Sequence, residues 1–227
     1  MKPSLARRAC AELLGSALLL AIVIGSGIMA ERLADGNQAI ALLANSLATG
    51  CGLLAILLLF GPLSGAHFNP LVSLIALWLG ELEWRCALLY VSAQCTGALL
   101  GVLLAHAMFD LPLWSASQHI RTGAAQWISE VVATFGLIGV IIGCSRTRPT
   151  CTPFAVAAYI SAAYWFTAST CFANPAVTLA RAISDTFAGI RPADVGPFIA
   201  AQTLGAVTAA LLFNWLYPVR SLSSEAF

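Results

Sequence analysis

The chain has 227 residues, of which 59% are hydrophobic and 9% charged, with a formal net charge of +1. Soluble domains carry about 25% charged residues, so this composition suits a chain solvated by lipid. Near-neutral charge without a basic stripe argues against a nucleic-acid surface. The absence of a Gly-rich phosphate loop, a nucleophile elbow and a metal-type Cys or His cluster argues against an enzyme, a cofactor or a metal site.

A spanning helix needs about 20 mainly apolar residues. The first such run, 10–30, follows a basic stretch containing Lys2, Arg7 and Arg8 and carries Glu12 at membrane depth. A signal peptide is the competing reading of this run; Glu12 and the repeat described below tie it to the body of the protein. The second run, 39–60, leads into Ser64-Gly65-Ala66-His67-Phe68-Asn69-Pro70 and a short apolar stretch, 71–79. Runs 84–107 and 127–145 follow. The fifth, 153–168, leads into Ser169-Thr170-Cys171-Phe172-Ala173-Asn174-Pro175-Ala176 and a second short stretch, 175–183; the sixth is 195–217. Pro is favoured at the first helical position, so each Asn-Pro opens a helix. The short stretches are about half a span long and are expected to enter the bilayer without crossing it. The predicted fold is therefore all-α and membrane-embedded, with six transmembrane helices and two re-entrant half-helices.

Six spans put both termini on one side. Counting Lys2, Arg7, Arg8, Arg85, Arg146, Arg148 and Arg220 there, against Arg32, Arg121, Arg181 and Arg191 opposite, that side is cytoplasmic. The seven cysteines, at 10, 51, 86, 95, 144, 151 and 171, are odd in number and unpaired in spacing, which argues against a disulfide framework.

The halves repeat. Glu12 in the first span matches Glu130 in the fourth, Asn69 matches Asn174, and Gln94 in the third span matches Gln202 in the sixth, at offsets of 118, 105 and 108 residues. Three spans per half invert the second half, about 120–227, relative to the first, about 1–110, within a single transmembrane domain covering 1–227. The two helix starts are then expected to meet near the bilayer centre. Small residues at Gly97 and Gly101, Gly139 and Gly143, and Gly205 and Ala209 have the small-xxx-small spacing of close helix contacts.

On the Ser-Gly-Ala-His-Phe-Asn-Pro at 64–70, the Asn-Pro-Ala at 174–176, the paired Glu and the paired Gln-x-x-Gly, the chain resembles the aquaporin, or major intrinsic protein, family over nearly its whole length. The resemblance implies a homotetramer in the lipid bilayer, with one pore per protomer conducting water, glycerol or other small neutral solutes. It implies a pore centre of Asn69, Pro70, Leu71, Asn174, Pro175 and Ala176. The two Asn side chains cap their half-helices and turn amide donors to the solute, while positive helix starts repel cations and protons. Glu12 and Glu130 are expected to accept from the backbone N–H groups of the approach segments, with His67 packed into the first of these.

Two positions depart from the family pattern. Relatives carry Arg after the second Asn-Pro-Ala, where this chain has Val177, and Ala where it has Leu71, a residue large enough to narrow the centre. By distance from the motifs, the constriction is read as Thr49, Ala162, Cys171 and Val177. Without large rings or a fixed charge, it should be wide and weakly selective. Arg181, four residues beyond Val177, is a candidate vestibule cation able to attract anionic or polarised solutes; the alternative is that it snorkels or pairs with Asp185. A filter with Val resembles that of bacterial aquaglyceroporin-like channels of arsenic resistance. This implies a passive channel of the bacterial inner membrane for arsenite, methylarsenicals and glycerol-like polyols. The alternatives are a water or glycerol channel without an arsenic role, and a closed-pore structural membrane protein.

Overall fold

The computed structural model describes residues 3–218, whose regular structure is helical throughout. Lys2 and Arg220, counted above toward the cytoplasmic side, lie outside the described residues. The six expected spans correspond to α1 (Leu5–Leu33), α2 (Gln38–Ser64), α4 (Trp84–Met108), α5 (Ala124–Thr147), α6 (Thr152–Phe166) and α8 (Pro192–Leu216). The half-helices are α3 (Pro70–Trp78) and α7 (Pro175–Arg181). Among the described residues, five helices are long and apolar enough to cross a bilayer; α6, with 15 residues, is shorter than the run that predicted it. A 3-10 turn, Pro149–Cys151, leads into α6. Turn and helix together rise about 28 Å, close to the hydrocarbon thickness of about 30 Å.

Local chemistry sets the boundaries. The Asn37 side chain accepts from the N–H of Ala39 and Ile40 and starts α2, which ends at Gly65 with a left-handed φ of 91°. Asn69 and Asn174 are the N-caps of α3 and α7, each followed by Pro at the first helical position. α7 stops at Arg181, two residues before the expected end, where the chain turns into an irregular connection.

The outward faces carry exposed Leu59, Leu88, Leu211 and Trp215, while the inward faces carry Ala and Gly. Helix α1 packs along α4 as α5 packs along α8, so the two halves use the same pairing. A Cβ on Gly97 would lie 2.2 Å from the Leu13 carbonyl oxygen, one on Gly101 2.2 Å from Ala17 O, and one on Gly205 2.3 Å from Val131 O. The helices touch backbone to backbone at Gly97, Gly101 and Gly205, where a methyl group has no room; Gly139 and Gly143 differ from expectation and face the side-chain rings of Phe213 and Tyr217.

Gly97→Leu is therefore expected to destabilise the protein by about 3 kcal/mol or more, the upper range for overpacking. Thermal unfolding in detergent measures this; an unchanged midpoint would mean that α1 and α4 can separate freely.

Candidate functional site

Two non-helical segments lead into the half-helices, and both use left-handed backbone at matching positions. Gly65, Ala66 and Phe68 have φ of 91°, 51° and 49°; Thr170, Cys171 and Ala173, each 105 residues on, have 59°, 55° and 48°. Non-Gly residues held there cost of order 1–3 kcal/mol each, so the surroundings must enforce the conformation. Glu12 and Glu130, both fully buried, do so. The Glu12 carboxylate accepts from Ser64 Oγ (2.6 Å), His67 N (3.0 Å), Phe68 N (2.7 Å) and Gln94 Nε2 (2.8 Å). Glu130 accepts from Phe172 N (2.9 Å), Ala173 N (2.9 Å) and Gln202 Nε2 (2.6 Å). The same glutamines donate onward to Ser73 Oγ (2.9 Å) and Thr178 Oγ1 (2.8 Å), tying each half-helix to the neighbouring span. Both carboxylates are thus held by several donors, as burial of an unpaired ion would cost several kcal/mol.

The two loops are then stitched together. Asn69 Oδ1 accepts from Leu71 N, and its Nδ2 donates to Ala173 O at 2.8 Å. Asn174 Oδ1 accepts from Ala176 N and Val177 N, and its Nδ2 donates to Phe68 O at 2.7 Å. Each amide has a second N–H. Both asparagines line a cavity of about 660 Å³, in which that hydrogen can meet a solute.

This cavity runs between the halves. One end is lined by Leu79, Glu81, Ser145 and Pro149; the Asn pair lies within; the other end is lined by Thr49, Tyr164, Cys171, Val177 and Arg181. Much of its wall is apolar and arrives at helical spacing: Thr49, Leu53 and Leu57 from α2, and Val156, Ile160 and Tyr164 from α6.

The structure brings together most of the residues singled out from sequence. Thr49, Cys171 and Val177 share the cavity wall, and His67 lines it with Nδ1 3.0 Å from Ser73 Oγ. Pro70, Pro175 and Ala176 are buried behind the asparagines, outside the lining. Ala162 does not belong to the wall: it is exposed, and Tyr164, two residues on, takes the expected place, its hydroxyl donating to Thr49 Oγ1 at 3.3 Å. The wall expected to be free of rings therefore carries an aromatic at this end. The i, i+4 series through Val156 and Ile160 carried the signal for Tyr164. Leu71 also differs from expectation: it packs with Ile138, Ile142 and Ala206 and is absent from the lining, so it does not narrow the centre.

Arg181 neither snorkels nor pairs with Asp185. It is 2% exposed and lines the cavity; its Nε donates to Ala188 O, and its guanidinium carbon lies 3.4 Å from the centre of the Phe172 ring. Asp185 instead accepts from Gln118 N at 2.8 Å. A second buried cation, Arg121, gives no signal in the sequence. It comes from the α4–α5 connection and donates to Gly189 O and Ser169 O at 2.8 and 3.1 Å, while its own N–H donates to Asp194. Burial, and then the charge of Arg181, lower the Arg121 pKa to about 9, so it remains a cation at neutral pH. Arg121 thus clamps the second loop from behind, and Arg181 faces the cavity.

The comparisons agree with this architecture. The family model described as major intrinsic protein matches residues 1–158. The chain is 53% identical over 212 residues to "Aquaglyceroporin AqpS" of Rhizobium meliloti, covering 93% of this chain and 91% of that one. It is 28% identical over 242 residues to the "Probable glycerol uptake facilitator protein" of Thermotoga maritima, covering 91% and 98%. The X-ray structure of the aquaglyceroporin from Plasmodium falciparum shares the fold with a TM-score of 0.67 at 19% identity, covering 93% of this chain and 96% of that one. The chain belongs to the major intrinsic protein family. It is a membrane channel for small solutes, not an enzyme.

Glu130→Gln would replace one acceptor oxygen with an amide whose N–H₂ opposes a backbone donor. The expected loss is about 2–4 kcal/mol of stability, with Glu12→Gln, which breaks into four hydrogen bonds, at least as damaging. Thermal unfolding of the purified variants checks this; unchanged midpoints would mean that the carboxylates are not what holds the loops.

Proposed function

We propose that the channel passes small uncharged hydroxylated solutes of glycerol size, with arsenite and methylarsenicals within its range, down their gradients. The observation that carries the reading is Val177 in the wall of the cavity, beside Thr49, Tyr164 and Cys171 and just beyond the Asn pair. An apolar side chain there adds no donor fork of its own, so bulk is not excluded as it would be by Arg; the fork at this end belongs to Arg181, one helical turn further along α7. The wall is apolar on the α2 and α6 faces, while Asn69, Asn174 and the carbonyl-bearing loops supply the polar side, a division that suits a solute with hydroxyls on one flank. Arsenite at neutral pH is As(OH)3, uncharged and with three hydroxyls, and so presents the hydrogen-bonding pattern of glycerol. The name of the Rhizobium meliloti relative supports the glycerol class. A lone Cys171 thiol offers trivalent arsenic one bond and no chelate, which favours transit over trapping.

In this reading Asn69 and Asn174 orient the solute oxygen at the centre, and Thr49, Tyr164, Cys171 and Val177 set the size limit. Glu12, Glu130 and His67 shape the loops. The functional unit is a homotetramer of one-pore protomers in a bacterial inner membrane, with both termini cytoplasmic by the surplus of Lys and Arg on that side.

Stopped-flow light scattering of proteoliposomes tests the reading: glycerol and As(OH)3 should both enter faster than in protein-free vesicles. Fast water flux with no glycerol or arsenite flux would overturn it. Val177→Arg should lower glycerol and arsenite permeability about tenfold or more, equivalent to ~1.4 kcal/mol of barrier, while water flux persists. Unaltered passage of all three would remove Val177 from the constriction.

A further inference from the structure

Among the described residues, buried ions are answered by partners, with one exception. Glu12 has four donors and Glu130 three; Arg121 has two carbonyl acceptors; Asp194 has Arg191 at 2.9 Å and the Arg121 N–H. Arg181 is as deeply buried, yet among the described residues only its Nε finds an acceptor, and no carboxylate pairs with it. Its two Nη nitrogens, four N–H donors in one plane, have no protein acceptor among the described residues, and the side chain lines the cavity. Phe172 covers one face of the guanidinium, which fixes the plane of the fork. The neighbouring lining is Val177, Cys171 and the Tyr164–Thr49 hydroxyl pair, with no acidic side chain.

We propose that Arg181 forms a binding site for a small monovalent oxyanion, a monocarboxylate fitting best, at the Val177 end of the cavity. A guanidinium fork matches a carboxylate with two parallel hydrogen bonds, and such charge-assisted pairs strengthen where water is scarce. The charges of Glu130 and Arg121 reach this site through space and oppose each other, so the two buried arginines and Glu130 together leave one positive charge for one negative charge. Val177 and Cys171 would receive the methyl or methylene end of the anion, and the Tyr164 and Thr49 hydroxyls stand near to complete its hydration. Resident anion would also occupy the path of neutral solutes, so this site sets a competitive inhibitor class for the channel. The inference goes beyond the proposed function, since binding at Arg181 needs no flux.

Thermal unfolding of the detergent-purified protein with sodium acetate, against sodium chloride at equal ionic strength, tests it. Acetate should raise the wild-type midpoint saturably, by about 5 °C or more at a hundredfold excess over the dissociation constant. Arg181→Gln should abolish the rise, and Arg181→Lys, which keeps the charge and loses the fork, should retain less than half of it. No acetate-specific rise in the wild type, or an equal rise in Arg181→Gln, would overturn the proposal. Should Arg181→Gln not fold, an undiminished rise in Arg181→Lys would overturn it instead, because the planar fork would then be irrelevant. In proteoliposomes that conduct glycerol, external acetate should slow wild-type entry and leave Arg181→Gln entry unchanged; absent glycerol flux would count against the channel's proposed cargo and not against this site.

Discussion

The structure depends on two carboxylates holding backbone that would otherwise be intolerable in a membrane. Lipid offers no water to pair exposed N–H groups, so non-helical chain survives at depth only where protein supplies the partners. Glu12 and Glu130 supply them at His67, Phe68, Phe172 and Ala173. With those donors taken on one side, the carbonyls of Phe68 and Ala173 are left for the Asn174 and Asn69 amides of the opposite loop. The Asn pair is therefore a consequence of the buried acids. Gln94 and Gln202 extend the same logic, donating to the carboxylate with one hydrogen and to Ser73 or Thr178 with the other, so that span, loop and half-helix move as one piece.

The close helix contacts serve the same end. A carboxylate reaching from α1 to the first loop must stand at a fixed height and angle, and a loosely held α1 could not keep a set of hydrogen bonds between 2.6 and 3.0 Å. The approach of Leu13 O and Ala17 O to Gly97 and Gly101 fixes that height. In the other half, Val131 O against Gly205 does the same for Glu130, one residue away. Packing density in the spans is thus converted into precision at the loops.

What the sequence made legible was whatever occurs twice. The Asn-Pro motifs, Glu12 with Glu130 and Gln94 with Gln202 fall in matching settings, and duplication identified them without coordinates. Spacing alone located the contacts at Gly97, Gly101 and Gly205, but the same spacing at Gly139 and Gly143 accommodates the rings of Phe213 and Tyr217. Features that occur once were read less well. Ala162 came from a fixed distance before Asn174, a rule that ignores which face of α6 is turned inward; the helical series through Val156, Ile160 and Tyr164 decides that. Arg181 was placed by treating α7 as a straight rod with its end in water. The helix in fact stops at Arg181, and the side chain stacks on Phe172 and donates to Ala188 O. Arg121 had no signal, because its partners are backbone carbonyls, which no side-chain pattern reveals.

The offset of 105 residues also shows where the two ends of the conduit diverge. It maps Val72 onto Val177, both in the cavity wall, so Val at the second position restores a match between the halves. It maps Ser73 onto Thr178, hydroxyls with the same glutamine partner type. It maps His67 onto Phe172 and Ala76 onto Arg181, and there the match breaks. His67 turns a ring nitrogen to Ser73 where Phe172 presents an apolar face, and that face is what the guanidinium of Arg181, at the far end of α7, stacks upon. A cation–π contact recovers about 2 kcal/mol when desolvated, less than the several kcal/mol that burying an unpaired ion costs. The remaining imbalance is local and of one sign. A neutral solute crossing between Val72 and Val177 meets a Val on either side, whereas a charge on it meets the buried guanidinium of Arg181 at one end and the exposed, Arg146-paired Glu81 at the other.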